Sequence, residues 1–180
     1  NFLRGEWFKM TLFQGGFWNT EVDVLRFTQP DSLLAFHAEP MLLAFVPFYA
    51  LGADTQFLLI VQAFAFALGA IPAYRLGARW GRSSWLGLVV ALIYLLSPYG
   101  QWAILSDFHT SVLAAPLLLL AVERLAAGYP RAAILASAAA ITAREDVAVV
   151  VMMLGVMAWL WGQRRTGLII AGMGIAASIL

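Results

Sequence analysis

The chain has 180 residues and no cysteine; 62% of its residues are hydrophobic, 12% are charged, and its formal net charge is +1. A soluble globular domain has about 45–50% apolar and about 25% charged residues, so this composition excludes an ordinary water-soluble domain and indicates a membrane protein. The near-neutral charge excludes a nucleic-acid partner that is bound through a basic surface, and the lack of cysteine excludes disulfides and thiolate metal sites.

The first part of the chain is predicted to lie at the membrane surface. Residues 1–53 mix aromatic with charged side chains, which is typical of the water–lipid interface. Their most apolar part, 40–53, would extend about 21 Å as a helix, which is less than the roughly 30 Å of the bilayer core. We therefore predict an external amphipathic loop with juxtamembrane helices over 1–53.

Six apolar segments follow, at 55–74, 83–106, 108–122, 132–143, 147–163 and 166–180. Because each can form an apolar helix, we predict an all-α fold, a polytopic transmembrane helix bundle with about six transmembrane segments over 54–180. The chain starts at Asn1 without a signal-peptide pattern and stops at Leu180 within an apolar run. We interpret 1–180 as a single membrane domain and as a fragment of a longer chain.

The arginine distribution indicates the orientation of these segments. If each segment crosses the membrane once, one side carries seven arginines and a single acid, Glu123. The other side carries nine acidic and four basic residues. Since cytoplasmic loops are enriched in arginine and lysine, we predict a multi-pass protein of the cell membrane with its arginine-rich side in the cytoplasm.

Residues 131–161 leave two interpretations open. A single helix would be about 46 Å long and would place Arg144, Glu145 and Asp146 near its middle, at about 2.5–3.5 kcal/mol per charge before pairing. Two short helices that meet at these three residues would avoid this cost. Their shortness would then imply tilt or local thinning of the bilayer.

Three polar clusters fall on the predicted non-cytoplasmic side, each at the edge of an apolar segment, and we predict that they bind substrate. They consist of His37 and Glu39, of Asp107 and His109, and of Arg144, Glu145 and Asp146. Charges at such positions commonly face a bundle interior or a watery cavity. Carboxylates and imidazoles can exchange protons there, and a guanidinium can bind phosphate. The candidates for holding a divalent metal ion are His37, Asp107 and His109.

The polar residues also have structural interpretations. Asp107 would cap a helix that begins near Thr110, and Arg144 would pair with a neighbouring carboxylate to stabilise a turn. Gln62, a lone polar residue in an apolar segment, is predicted to form a hydrogen bond between helices. Small residues in the later segments predict close helix contacts; they are Ala136, Ala140, Gly167, Ala171, Gly174 and Ser178.

Seven short motifs, taken in their order and spacing, point to a known family. They are His37-Ala-Glu-Pro40, Pro47-Phe-Tyr49, Gln62-Ala63, Pro72-Ala-Tyr74, Tyr94-Leu-Leu-Ser-Pro98, Asp107-Phe-His109 and Arg144-Glu-Asp-Val-Ala148. The set resembles the domain-of-unknown-function family 2079 of prokaryotic membrane proteins, although Ala38 and Arg144 stand where that family usually has phenylalanine and lysine. That family resembles, more distantly, the GT-C class of membrane glycosyltransferases.

The resemblance implies a GT-C-like bundle that transfers a sugar from a polyprenyl-phosphate carrier on the non-cytoplasmic face. The implied partners are the lipid bilayer and this lipid-linked sugar donor. The main catalytic acid is expected upstream of Asn1, and the candidates within this chain are Asp107 and Glu145. Arg144 would hold the phosphate. The residues expected to position sugar hydroxyls or a divalent cation are Asp107, His109 and His37.

Two other functions stay open from the sequence. A transporter or channel would use its intramembrane charges and Gln62 to line a path through the membrane. A structural membrane protein would use the polar clusters only to lock its helices together.

Overall fold

The computed structural model describes residues 39–179, and this part of the chain is helical, with no strand. The all-α prediction is therefore confirmed for the described range, whereas His37 and most of the predicted loop over 1–53 lie outside it. In chain order the elements are a 3₁₀ helix (Pro40–Phe45), α1 (Val46–Ala50), α2 (Thr55–Leu68), α3 (Ala70–Gly81), α4 (Ser84–Leu95), α5 (Pro98–Leu105), α6 (Thr110–Ala126), α7 (Pro130–Ile141), α8 (Val147–Leu160) and α9 (Arg164–Ser178).

Helices α2 and α3 run on through Gly69 as one long apolar helix, Gln56–Gly81. The Asp54 carboxylate caps its start, because it accepts hydrogen bonds from the backbone N–H of Gln56 at 3.0 Å and of Phe57 at 3.3 Å. The helix has 26 residues, which corresponds to about 39 Å. It is long and apolar enough to cross a membrane.

The predicted segment 83–106 is divided into α4 and α5 by a bend of 44°. The bend falls at Pro98, whose ring nitrogen has no hydrogen to donate to a preceding helical turn. The Ser97 hydroxyl accepts a hydrogen bond from the backbone N–H of Gly100 at 3.2 Å and so caps α5. The bent pair adds a second membrane-crossing helix if its two halves form one span.

The remaining helices are shorter than a full span. Helices α6 to α9 have 17, 12, 14 and 15 residues, or about 18–26 Å. By length and composition, the described residues thus contain one membrane-crossing helix, or two with the bent pair. This is fewer than the sequence predicts, because prolines and polar turns end the helices early.

Residues 131–161 form two helices. Helix α7 ends at Ile141 and α8 begins at Val147, and Arg144, Glu145 and Asp146 lie in the turn between them. The single long helix is therefore excluded. The turn places the three charged residues at one end of the bundle, where their side chains need not enter its apolar middle.

Neighbouring helices pack as antiparallel hairpins, α3 with α4, α6 with α7, and α8 with α9. Glycines permit the closest approach. A Cβ atom at Gly167 would lie 2.6 Å from the Gly155 carbonyl oxygen, and one at Gly174 would lie 2.6 Å from that of Ala148. The close contacts predicted for Gly167 and Gly174 are confirmed, and Ala140 is fully buried.

The core lies between α6, α7, α8 and α9 and is rich in alanine. Its fully buried alanines include Ala121, Ala133, Ala140 and Ala143. Large apolar side chains instead face outward, as Ile60, Ile93 and Leu168 do, each with about two thirds of its surface exposed. Small residues inside and large apolar residues outside are typical of a helix bundle that packs in lipid.

The hairpins separate the charges between the two ends of the bundle. The Gln163 carboxamide donates to the Leu125 carbonyl at 2.9 Å, and the Trp80 and Trp161 rings lie 6.4 Å apart, so α3, α6 and α8 end together. We call this the arginine end; within the described part of the chain its charged residues are Arg75, Arg79, Arg82, Glu123, Arg124, Arg131, Arg164 and Arg165. We call the opposite end the acidic end; its charged residues include Glu39, Asp54, Asp107, Arg144, Glu145 and Asp146.

Candidate functional site

The first described residues connect two of the predicted polar clusters. The Thr110 hydroxyl, at the start of α6, donates a hydrogen bond to the Glu39 carboxylate at 2.8 Å. The backbone N–H of Met41 donates to the Thr142 carbonyl at 2.7 Å, immediately before the turn at 144–146. Glu39 is therefore held beside the start of α6, and the 3₁₀ helix that follows it contacts the chain just before the α7–α8 turn.

The cluster of Asp107 and His109 is positioned by Gln62, which is completely buried. The Gln62 side chain accepts a hydrogen bond from the backbone N–H of His109 at 2.7 Å and donates one to the Ala103 carbonyl at 3.1 Å. The predicted hydrogen bond of Gln62 between helices is thus confirmed. Both Asp107 and His109 are exposed, and His109 Nδ1 lies 2.7 Å from the Asp107 carbonyl oxygen.

The structure excludes one interpretation of Asp107. The N-cap residue of α6 is His109, and its side chain makes no capping hydrogen bond. Asp107 therefore does not cap α6. Its exposed carboxylate is available to contact a molecule at the acidic end.

The cluster at 144–146 forms a compact turn. Arg144 Nε lies 3.4 Å from the Asp146 carboxylate, and about a quarter of the Arg144 side chain is exposed. The carbonyls of Arg144 and Glu145 accept hydrogen bonds from the backbone N–H of Val147 and Ala148, at 3.2 and 3.1 Å. The turn backbone is thereby tied to the first turn of α8, and the expected pairing of Arg144 with a neighbouring carboxylate is present.

Aromatic side chains fix the segment 40–50 against the rest of the acidic end. The Phe45 ring meets the Phe57 ring edge-on at 6.2 Å and the Phe108 ring at 6.4 Å. Tyr49 also meets Phe57 edge-on, at 6.4 Å. Partial burial, and then the Asp54 carboxylate, raise the pKa of the Tyr49 phenol, so this group is neutral at physiological pH.

The described residues supply no metal centre. Between 39 and 179, no three histidine, cysteine or acidic side chains lie close enough together to hold an ion. Of the three candidate ligands, Asp107 and His109 lie in this range and His37 lies outside it. No step that uses a metal ion is therefore assigned to this site.

Sequence reasoning missed two residues that assemble the acidic end. Thr110 and Thr142 form hydrogen bonds with the first described segment. The Thr110 hydroxyl donates to Glu39, and the Thr142 backbone carbonyl accepts from Met41. Thr110 follows His109 at a helix start, and a threonine there is a common signal for a side-chain hydrogen bond. No sequence signal marks Thr142, because a backbone carbonyl accepts hydrogen bonds whatever its side chain is.

An all-helical fold with an outward-facing apolar surface and its charges at two ends is that of an integral membrane protein. Residues 2–180 match the model of the DUF2079 family, which is described as a predicted membrane protein, and the chain belongs to that family. The family resemblance drawn from the motifs is thus confirmed. No curated protein and no solved structure matches the chain, so the GT-C resemblance has no counterpart among the matches.

Proposed function

We propose that this protein is a multi-pass membrane enzyme that transfers a sugar from a polyprenyl-phosphate carrier to an acceptor at the acidic end. The observation that carries the proposal is the connection of the polar clusters. Glu39 is bound to Thr110, which directly follows His109 and lies three residues after Asp107. Met41 is bound to Thr142, two residues before Arg144. Acid–base groups and a guanidinium therefore share one end of an apolar bundle.

The proposed orientation places the acidic end outside the cytoplasm. Among residues 39–179, the opposite end carries seven arginines and one acid, and arginine-rich loops are retained in the cytoplasm during membrane insertion. The helices pass between the ends six times when α2–α3 and α4–α5 each count as one pass. Since α6 to α9 are short, we propose that they cross where the bilayer is thinned or where neighbouring helices cover their ends.

The proposed reaction uses the polar groups of the acidic end. The acceptor oxygen bonds to the anomeric carbon of the sugar, while the bond between that carbon and the phosphate oxygen breaks. The bonding electrons leave with the polyprenyl phosphate, which Arg144 binds through charge-assisted hydrogen bonds. The hydroxyl proton of the acceptor passes to a carboxylate, for which Asp107 and Glu145 are the candidates in this chain. Residues proposed to contact the sugar hydroxyls are Glu39, His109 and Asp146.

A transporter is the less favoured alternative. It would need polar groups that face a path through the middle of the bundle. Gln62, the polar residue expected on such a path, instead has both ends of its carboxamide engaged with neighbouring backbone. Gln62 therefore supports the packing of α2 against the segment that leads into α6.

The proposal is tested by sugar transfer in membranes that contain the full-length protein and a polyprenyl-phosphate-linked radiolabelled sugar. We expect Asp107→Asn and Arg144→Ala to reduce transfer by about a hundred-fold or more, the usual scale for losing a proton-transfer or charge-binding group. Arg144→Lys keeps the positive charge and should retain part of the activity.

Asp54→Asn is the matched control for Asp107→Asn. Asp54 is also an exposed carboxylate of the acidic end, but it caps α2, and asparagine caps helices about as well as aspartate. We expect this variant to transfer sugar at the wild-type rate. Normal transfer by both Asp107→Asn and Arg144→Ala, at normal abundance in the membrane, would contradict the proposed roles.

A further inference from the structure

A basic pocket lies at the arginine end, between α3 and α6. Its volume is about 570 Å³, and it is lined by Tyr74, Arg75, Ala78, Arg79, Glu123, Arg124, Ala127 and Tyr129. The lining contains three guanidinium groups and one carboxylate, so the pocket carries a net charge of +2. An anion is the ligand that this charge favours.

The charged residues of the pocket differ in whether they form ion pairs with one another. The buried Glu123 carboxylate forms an ion pair with Arg124, whose guanidinium also lies 5.3 Å from the centre of the Tyr129 ring. Arg75 and Arg79 are exposed, and within residues 39–179 neither forms an ion pair with a carboxylate. Four residues apart on α3, they repel each other unless an anion lies between them.

An apolar groove of about 450 Å³, lined by the 3₁₀ helix, α2, α3 and α6, lies next to this pocket. Its lining is Met41, Phe45, Val61, Ala65, Leu68, Ile71, Pro72, Leu113, Pro116, Leu117 and Leu120. On α3 the groove ends at Pro72 and the pocket begins at Tyr74; on α6 the groove ends at Leu120 and the pocket begins at Glu123. The gap on α6 is three residues, or about 4.5 Å.

We propose that the pocket and the groove together form a binding site for an anionic phospholipid. The headgroup phosphate lies between Arg75 and Arg79, and one acyl chain lies in the groove along α6. The combination determines the ligand class. A free phosphate would leave the apolar groove unfilled, and an uncharged lipid would not neutralise the arginines. Basic pockets between helices at the cytoplasmic side of membrane proteins bind anionic headgroups in this way.

The headgroup site is tested with the full-length protein in detergent, by measuring binding of dioleoyl phosphatidylglycerol with native mass spectrometry. We expect Arg75→Gln/Arg79→Gln to weaken binding by about thirty-fold, the effect of two arginines near an anionic lipid surface. The matched control is Arg82→Gln/Arg164→Gln, which removes two exposed arginines of the same end outside the pocket. The control should bind the lipid as the wild type does.

The chain site is tested with Ala65→Phe, which places a ring in the groove, against Ala67→Phe, which places one on the exposed side of the same helix. Only Ala65→Phe should weaken phosphatidylglycerol binding. Equal losses in each variant and its control would overturn the proposal, as would unchanged binding by Ala65→Phe. Phosphatidylcholine binding as tightly as phosphatidylglycerol would overturn it, and so would full displacement of the lipid by millimolar inorganic phosphate.

This lipid site is independent of the proposed sugar transfer. Its polar ligands are at the arginine end, and the proposed reaction takes place at the acidic end. Lipid binding that the arginine-end variants leave unchanged therefore contradicts only the lipid site. Sugar transfer that the acidic-end variants leave unchanged contradicts only the proposed reaction.

Discussion

At the scale of single residues, Gln62 decides where the segment with Asp107 and His109 lies. Its carboxamide is the hydrogen-bond partner of the His109 backbone N–H and of the Ala103 carbonyl. Leucine has a similar volume but no polar atoms, so Gln62→Leu would leave both backbone groups without that partner. We expect a loss of about 1–3 kcal/mol in the free energy of unfolding for each buried group left unpaired, measured by thermal or chemical unfolding in detergent.

Gln56→Leu is the control for this substitution. Gln56 is exposed near the start of the same helix, and only its backbone N–H takes part in the Asp54 cap. Its replacement should change stability by no more than about 0.5 kcal/mol. If the two variants lose the same stability, the buried hydrogen bonds of Gln62 do not hold the segment in place.

At the scale of helices, α8 and α9 approach each other through glycines that tolerate no side chain. A Cβ atom at Gly174 would lie 2.6 Å from the Ala148 carbonyl oxygen and 2.6 Å from the Met152 backbone nitrogen. Because both of these atoms belong to the backbone of α8, Gly174→Ala must push the helices apart. We expect destabilisation of about 1–3 kcal/mol, read from the unfolding midpoint in detergent.

Gly172 provides the matched comparison within α9. A Cβ atom there would have no neighbour within 4 Å. Gly172→Ala should therefore stabilise the protein by up to about 1 kcal/mol, because alanine favours a helix more than glycine does. The two glycines are two residues apart, so effects of the same sign would contradict the close packing of α9 on α8.

At the scale of the whole molecule, the segregation of charge predicts how the bundle sits in the membrane. Single cysteines are informative here because this chain has no native cysteine; any cysteine elsewhere in the full-length protein is first replaced. Leu51→Cys and Asp146→Cys, both exposed at the acidic end, should react with a membrane-impermeant thiol reagent added to intact cells. Ser84→Cys and Arg165→Cys, exposed at the arginine end, should react only after permeabilisation.

The labelling pattern distinguishes a six-pass bundle from one with fewer crossings. Reaction of position 165 in intact cells, with no reaction at position 146, would place the arginine end outside the cell. It would contradict the proposed orientation and the proposed site together. Labelling confined to 51 and 146 places both connected clusters at the external surface, where a lipid-linked sugar donor would be reached.

Properties that depend on composition and local pattern could be predicted from the sequence. Apolar content predicts a membrane protein, and the motifs predict the DUF2079 family. Apolar runs predict helices, and Pro98 lacks the N–H that a continuous helix needs. For residues 131–161 the cost of charge in lipid favours two helices, and the structure decides between the two interpretations. These features were predictable because a helix forms its backbone hydrogen bonds within one segment of the chain. Where it forms and where it ends therefore depend on the residues of that segment.

Contacts between distant residues became known only from the packing of the helices. Glu39 and Thr110 are 71 positions apart in the chain, and no sequence pattern pairs a carboxylate with one hydroxyl among several. The arginines are predictable as a group on one side, but the pocket of Arg75 and Arg79 exists because α3 packs beside α6. Helix packing in lipid depends on how well the surfaces of two helices fit together. This fit depends on both helices at once, so the sequence of either helix alone does not specify it.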